Sequence, residues 1–502
     1  MDTIQSLANG FSIALLPSNL LVCFIGVFVG TLVGILPGLG PPATLAMILP
    51  LAYGMDGTAA MILMCGVFYG ARYGGAVTSV LMNLPGETSS VMTCLDGYQM
   101  ARQGRAGPAL GMAAIASFSA GTLGVLCLML LAPAMSEFAL GFGPPEYFAL
   151  TAMALTLVMF LAGRSMIKAL MVTSLGLLLS TIGTDVVSGM ERLNFGQVAL
   201  LGGVDFVVAT MGLFAIGEIL INLEQTAKAE IFATPNRLSE LLPSLKELRE
   251  CAGTIIRCTI IGFLVGVIPG GNPTIATFLA YGTAKALSKD PEVFGKGAIC
   301  GVAAPESADN AACSGGLVPL LTLGIPGSGS TAVMLAALML AGLQPGPLLL
   351  KEQPDFFWAV VASMYVGNVL LLIMNLPMVP LFANLMRVPY YIMYPVIVAI
   401  CCIGAYSIDN SIADVWLMFI FGVIGYALTK TGFPLPPLVL ALILGNIMEK
   451  SLRQALILLD GNVLLFFNRP ICVVLLGTAA MVLVLRIVQY VGSVRSSTTI
   501  AE

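Results

Sequence analysis

Long apolar runs separated by short polar or glycine- and proline-rich breaks repeat from one end of the chain to the other. The clearest runs cover residues 11–36, 59–81, 109–135, 147–162, 200–221, 356–376, 412–428 and 471–490. About 20 apolar residues in a helix cross the hydrocarbon core of a bilayer. Weaker runs fill the gaps, so the pattern predicts an all-α polytopic membrane protein with roughly 10–12 crossings and some broken or re-entrant helices. One long polar stretch, 222–251, interrupts the pattern with Lys228, Arg237, Lys246 and Arg249 among five glutamates. Its basic residues favour the cytoplasmic side. The chain thus divides into a membrane repeat over 1–222, a polar connector over 223–251, a second membrane repeat over 252–430, and C-terminal spans with a short tail over 431–502.

Both halves carry the same punctuation. The first has Gly34-Ile35-Leu36-Pro37-Gly38-Leu39-Gly40-Pro41, then Gly74-Gly75 followed by Asn83-Leu84-Pro85-Gly86-Glu87-Thr88-Ser89-Ser90. The second has Gly266-Val267-Ile268-Pro269-Gly270-Gly271-Asn272-Pro273, then Gly315-Gly316 followed by Gly324-Ile325-Pro326-Gly327-Ser328-Gly329-Ser330-Thr331. From the second glycine of each pair to the following proline is 10 residues in both halves (85 − 75 and 326 − 316). Val91-Met92 and Val333-Met334 follow, and then Ser117/Gly121 and Ser363/Gly367. Agreement over this length is an internal duplication. Matching loops differ in charge: 96–108 holds Arg102 and Arg105 where 343–355 holds one lysine and two acids, and 288–297 holds two lysines where 54–57 holds only Asp56. Basic loops prefer the cytoplasm, which predicts two inverted-topology repeats.

Composition agrees with a membrane solvent. Of 502 residues, 58% are hydrophobic and 10% charged, with a mean hydropathy of +0.98; soluble chains carry about 25% charged residues. No basic segment precedes the first run, so it reads as a span rather than a cleavable signal. The eleven cysteines are scattered without a CxxC pair and read as packing residues rather than a disulfide or metal framework. Histidine is absent, which removes the commonest zinc ligand and the usual proton relay. A net charge of −4 singles out no partner, and no nucleic-acid partner is expected.

The chemistry concentrates at the four Pro-Gly breaks. Proline lacks a backbone donor and glycine leaves a helix cheaply, so each break interrupts a helix at membrane depth. Such backbone survives in the bilayer only when buried in protein or lining a polar cavity. Helix starts follow the breaks: Asn272 as N-cap before Pro273, Pro41-Pro42 in the matching place, and Thr88, Ser89, Ser328, Ser330 and Thr331 as capping hydroxyls. Exposed N–H groups there attract carboxylates, and the released carbonyls and hydroxyls suit a small cation such as Na+. The candidate substrate- and ion-binding residues are therefore Pro37, Gly38, Gly40, Asn83, Pro85, Gly86, Thr88, Ser89, Pro269, Gly270, Asn272, Thr274, Pro326, Gly327, Ser328, Ser330 and Thr331. Plain kinking is the bland alternative for any single break. Four in two matched pairs favour a site.

Glu306, Asp309 and Asn310 share one helical face and are candidate coupling residues, or else polar groups at a loop end. Arg72 either meets a substrate carboxylate or pairs with an acid, and the pair is the favoured reading. Asp205 and Glu218 read as packing or snorkelling groups. Gly26-Gly30-Gly34 and Gly262-Gly266 read as helix contacts.

At these motifs the sequence resembles the large membrane subunit of the tripartite tricarboxylate transporters, the TctA family. The resemblance rests on residues 34–41, on Tyr73-Gly74-Gly75 through Asn83-Leu84-Pro85-Gly86 to Asp96-Gly97-Tyr98, on Gly143-Pro144 with Glu146-Tyr147-Phe148, and on Gly324-Ile325-Pro326-Gly327. Gln99 and Asp309-Asn310 depart from the usual family pattern of proline and paired asparagines. The resemblance implies a non-enzymatic secondary transporter in the bacterial inner membrane. It further implies import of citrate or other small carboxylates by Na+ or H+ symport, with a small membrane subunit and a periplasmic solute-binding protein. No Walker A pattern occurs. A stand-alone channel or permease is the alternative. An intramembrane enzyme would need a nucleophile–base pair or metal cluster that the sequence does not offer.

Overall fold

A computed structural model describes residues 3–36, 40–161, 165–185, 188–224, 238–385 and 390–499. Among the described residues, 8 helices are long and apolar enough to cross a membrane: Pro17–Gly34, Gly57–Met82, Ala106–Ala139, Phe206–Glu224, Leu245–Val267, Pro354–Val379, Ile412–Lys430 and Leu435–Leu458. Shorter apolar helices include Pro41–Ala52, Pro144–Phe160, Met166–Ser180 and Gly329–Leu340. The strands described are a two-residue pair, Gly183–Thr184 against Glu191–Arg192. The chain is an all-α polytopic membrane protein. Most predicted runs match a helix to within a few residues. The run 11–36 is an exception, because Pro17 starts a new helix after Thr3–Ala14.

Small residues set the closest helix contacts. Pro17–Gly34 lies along Gly57–Met82 so tightly that a Cβ on Gly26 would sit 2.6 Å from the Leu63 carbonyl oxygen, and one on Gly30 would sit 2.5 Å from that of Val67. Gly34 meets the carbonyl of Ala71 in the same way. Both residue series rise together, so the two helices run parallel and Pro41–Ala52 brings the chain back between them. The second half repeats the arrangement: Gly262 and Gly266 on Leu245–Val267 abut the carbonyls of Ala308 and Ala312 on Ile299–Leu323. With no side chain intervening, dispersion and the loss of lipid contact hold such seams.

Gly57–Met82 and Ile299–Leu323 occupy matching places in the two halves and cross antiparallel. Tyr69 meets Ser314 at 2.6 Å and Arg72 meets Asp309 at 2.6 Å, so one series rises as the other falls. At one end of the bundle, Arg105 pairs with Glu247 and the Gln103 amide donates to the Lys296 carbonyl at 2.8 Å. At the other end, Gly57 lies against Leu343, and the Ser136 hydroxyl donates to the Pro347 carbonyl at 2.7 Å.

Asp96 clasps the two halves together. Its Oδ1 accepts from the backbone N–H groups of Gly295, Gly297 and Ala298, each at 2.8 Å, and its Oδ2 accepts from the Tyr281 hydroxyl at 2.8 Å. Gly295 and Gly297 have φ of +86° and +108°, which turns consecutive donors inward. Asp96→Ala leaves four donors without their acceptor, of which the Tyr281 hydroxyl and the Ala298 N–H are buried, and each buried loss costs about 1–3 kcal/mol. The variant is expected to be destabilised by about 2 kcal/mol or more, as read by thermal unfolding in detergent. Melting at the parental temperature would dismiss the clasp.

One expectation is corrected. Cys251 and Cys300 form a disulfide, with Cα atoms 5.3 Å apart across a sequence separation of 49 residues. No local spacing signals that bridge; the parallel packing of their two helices creates it. The other nine cysteines are free and buried or half-buried. The helix Leu245–Val267 begins within the polar stretch of residues 223–251. A capping box starts that helix, Ser244 and Glu247 satisfying each other's backbone N–H.

Candidate functional site

In both halves the long central helix ends on a left-handed residue. Asn83 (φ +55°) closes Gly57–Met82 and Gly324 (φ +70°) closes Ile299–Leu323. Only glycine and, less readily, asparagine take that conformation cheaply. Each corner then re-enters through Pro-Gly and a capping box. In half one the box joins Glu87 to Ser90; in half two it joins Ser328 to Thr331. The earlier breaks end on the starts of Pro41–Ala52, N-capped by Gly40, and Pro273–Ala286, whose N-cap Asn272 accepts from the Thr274 N–H at 3.0 Å.

Four helix starts converge on one cavity of about 360 Å³, lined at those starts by Gly40, Pro41, Pro85, Gly86, Thr88, Gly270, Asn272, Gly327, Ser328 and Ser330. Two come from each half. Caps and the prolines at 41, 42 and 273 take up part of the free N–H groups, but each helix start keeps a partial positive charge, so their convergence favours an anion. Val158, Phe214, Pro436 and Leu440 give the cavity apolar walls, and Arg72, Glu87 and Glu218 give it charge.

Arg72 is buried and already engaged. Its Nη1 donates to Asp309 at 2.6 Å, to Ser89 at 3.2 Å and to Glu87 at 3.2 Å, and its guanidinium lies 5.2 Å from the centre of the Phe68 ring. Its Nε has no protein partner. Behind this group lies Glu306, 3% exposed, accepting from the Thr93 hydroxyl at 2.7 Å and the Ser117 hydroxyl at 3.1 Å. Asn310 turns its amide back to the Glu306 carbonyl of its own helix at 3.2 Å. The hydroxyls of Thr88 and Thr274 meet at 2.8 Å, tying a corner of one half to a helix start of the other.

Comparison with known proteins decides the family. The family model for the tripartite tricarboxylate transporter TctA family matches residues 20–440. The chain belongs to the TctA family. It is 43% identical over 502 residues, the full length of both chains, to an Agrobacterium vitis protein described as an uncharacterized 52.8 kDa protein in the TAR-I ttuC' 3' region. A second Agrobacterium vitis protein, described as uncharacterized and lying in the TAR-II ttuC' 3' region, is 41% identical over 241 residues, 48% of this chain and all of that one. No solved structure matches the chain.

Within this TctA-family fold the candidate residues divide. Gly40, Pro85, Gly86, Thr88, Gly270, Asn272, Gly327, Ser328, Ser330 and Arg72 line the cavity. Asn83, Pro269 and Pro326 shape the corners without lining it, and Ser89, Thr274 and Thr331 hold neighbouring groups. Pro37 and Gly38 lie outside the described residues. Glu306, Asp309 and Asn310 are not at a loop end; they sit mid-helix behind the cavity wall. Three further readings change. Thr88, Ser89 and Ser330 do not cap, since Glu87 with Ser90 and Ser328 with Thr331 do so. Asp205 is a helix N-cap that accepts from Val207 and Val208. Glu218 does not snorkel; it lines the cavity. Glu218 and the apolar wall carry no local motif, and only the packing of distant helices brings them to the site.

Proposed function

We propose that this chain is the large membrane subunit of a secondary transporter that imports tricarboxylates or related small carboxylates by cation symport. It works with a small membrane subunit and a periplasmic solute-binding protein in a bacterial inner membrane. The family supports the tripartite assembly. The observation that carries the substrate class is the cavity, where four helix starts and Arg72 surround a space of about 360 Å³. That volume is at the small end of ligand pockets, which suits a small carboxylate.

An inverted relation between the halves is part of this reading. It is supported by the antiparallel crossing of matched helices and by matched loops at opposite ends of the bundle. Counted by lysine and arginine, the matched loops at one end carry Arg102, Arg105, Lys289 and Lys296, whereas their counterparts at the other end carry only Lys351. The basic end is cytoplasmic on this reading. Inversion lets one central site open to either side by exchanging the conformations of the halves.

The test is uptake of labelled citrate, malate and succinate into proteoliposomes holding both membrane subunits, with and without the binding protein, under an imposed Na+ or H+ gradient. Concentrative uptake of one of these anions that needs both the gradient and the binding protein is expected. Passive equilibration without the binding protein would replace the reading with a channel. Inertness toward all three anions under every gradient would end it.

A further inference from the structure

Among the carboxylates around the cavity, Glu218 stands apart. Glu87 and Asp309 share Arg72, and Glu306 is held by two hydroxyls behind the wall. Glu218 lines the cavity itself, and its polar neighbour is Asn222, one turn along the same helix. The turn before it, Met211–Ile216, is π-helical, and both Phe214 from that turn and Glu218 after it reach the cavity. A π turn inserts an extra residue and re-aims the helix face that follows, a device frequent at functional sites.

Charge makes this placement consequential. Arg72 is outnumbered by Glu87 and Asp309, so that group is formally −1, and an ionised Glu218 adds a second negative charge. A carboxylate substrate attracted by the helix starts and by the free, buried Nε of Arg72 meets that surplus in a confined, low-dielectric space. Protonation of Glu218 removes the repulsion and turns an acceptor into a donor for the anion. Binding of proton and binding of substrate therefore favour each other equally, as linkage requires.

We propose that Glu218 carries the proton that accompanies the substrate, which makes it the coupling residue of the cavity. The inference rests on the symport reading above and narrows its coupling ion to H+. One proton is taken up by the Glu218 carboxylate from the side where substrate enters and is released with it on the other. The charged and titratable groups around it include Arg72 and Glu87 in the same cavity lining, and Tyr394 of the helix Tyr390–Asp409 beside its own helix. The packed helix Ile412–Lys430 adds Asp414 near one end and Tyr426 and Lys430 near the other, where both contact Glu224. Pro41–Ala52 and Leu435–Leu458 bring only proline and aliphatic residues to the cavity.

The test separates exchange from accumulation in proteoliposomes of the full complex, using whichever of labelled citrate, malate or succinate the parent exchanges. In Glu218→Gln, pH-gradient-driven accumulation is expected to fall at least tenfold, and by a much larger factor than exchange between internal and external anion falls. Its uptake should also lose its dependence on external pH, and Glu218→Asp should restore part of the accumulation. If Glu218→Gln accumulates substrate like the parent, or loses exchange together with accumulation, the assignment is wrong. The same holds if the parent accumulates substrate under a Na+ gradient with no response to pH. A parent that exchanges none of the anions defeats the transport reading itself, and that result is distinct from the others.

Discussion

Arg72→Gln is expected to destabilise the protein by about 3–5 kcal/mol, the usual cost of removing one partner from a buried ion pair. Glu87 and Asp309 share this guanidinium, and all three side chains are at most 10% exposed. Removing the cation leaves two carboxylates facing each other at membrane depth with only hydroxyls nearby. The loss should appear as a lowered melting temperature in detergent and reduced recovery of folded protein from the membrane. Asp309→Asn placed on top of Arg72→Gln should recover part of the loss, because it removes one of the stranded charges. The two changes are then strongly non-additive, as expected for contacting residues. If Arg72→Gln melts with the parent, the ion triad has no structural role, and Arg72 is free to serve the substrate alone.

The second large effect falls on Gly86. A Cβ there would lie 2.5 Å from the Gly75 Cα, 3.1 Å from the Gly34 carbonyl oxygen and 3.2 Å from the Thr78 hydroxyl. Backbone on two sides cannot yield as a side-chain tip does, so Gly86→Val must displace the corner into the cavity that it lines. Uptake is expected to fall at least tenfold while the protein still inserts and elutes as a single species on size exclusion. Gly327, its counterpart, has nothing closer than 3.7 Å around the same atom, so Gly327→Ala is expected to cost far less. Normal uptake by Gly86→Val would show that the corner has slack that the structure does not suggest.

That contrast shows where sequence reading ran out. The duplicated Pro-Gly motifs were legible because proline and glycine act locally: each removes a donor or admits a conformation at its own position, and the pattern repeats in register. The seams of Gly26, Gly30 and Gly34 were legible for the same reason, as small residues on one helical face. The sequence assigned equal importance to the two corners, since nothing local records how closely a neighbouring backbone approaches. The place of Glu218 at the cavity was not legible, because an isolated acid in an apolar run resembles a packing or snorkelling group. The bridge between Cys251 and Cys300 was missed because it follows from two helices lying parallel, a relation that spacing does not encode. Arg72 was correctly favoured as a structural partner, but only the fold supplied its two acids.

The glycine seams have a mechanical consequence for the cavity. Where main chain rests on main chain, no rotamer is available to absorb a displacement, so the two helices of each pair behave as one stiff plank whose tip is a re-entrant corner. Positional error at that tip is then set by peptide geometry rather than by the mobility of long side chains. Donors delivered in this way stay aimed without extra support. On the transport reading proposed above, short groups at the helix starts, such as the Asn272 amide, then need no long flexible side chain to bring them to the cavity beside Arg72.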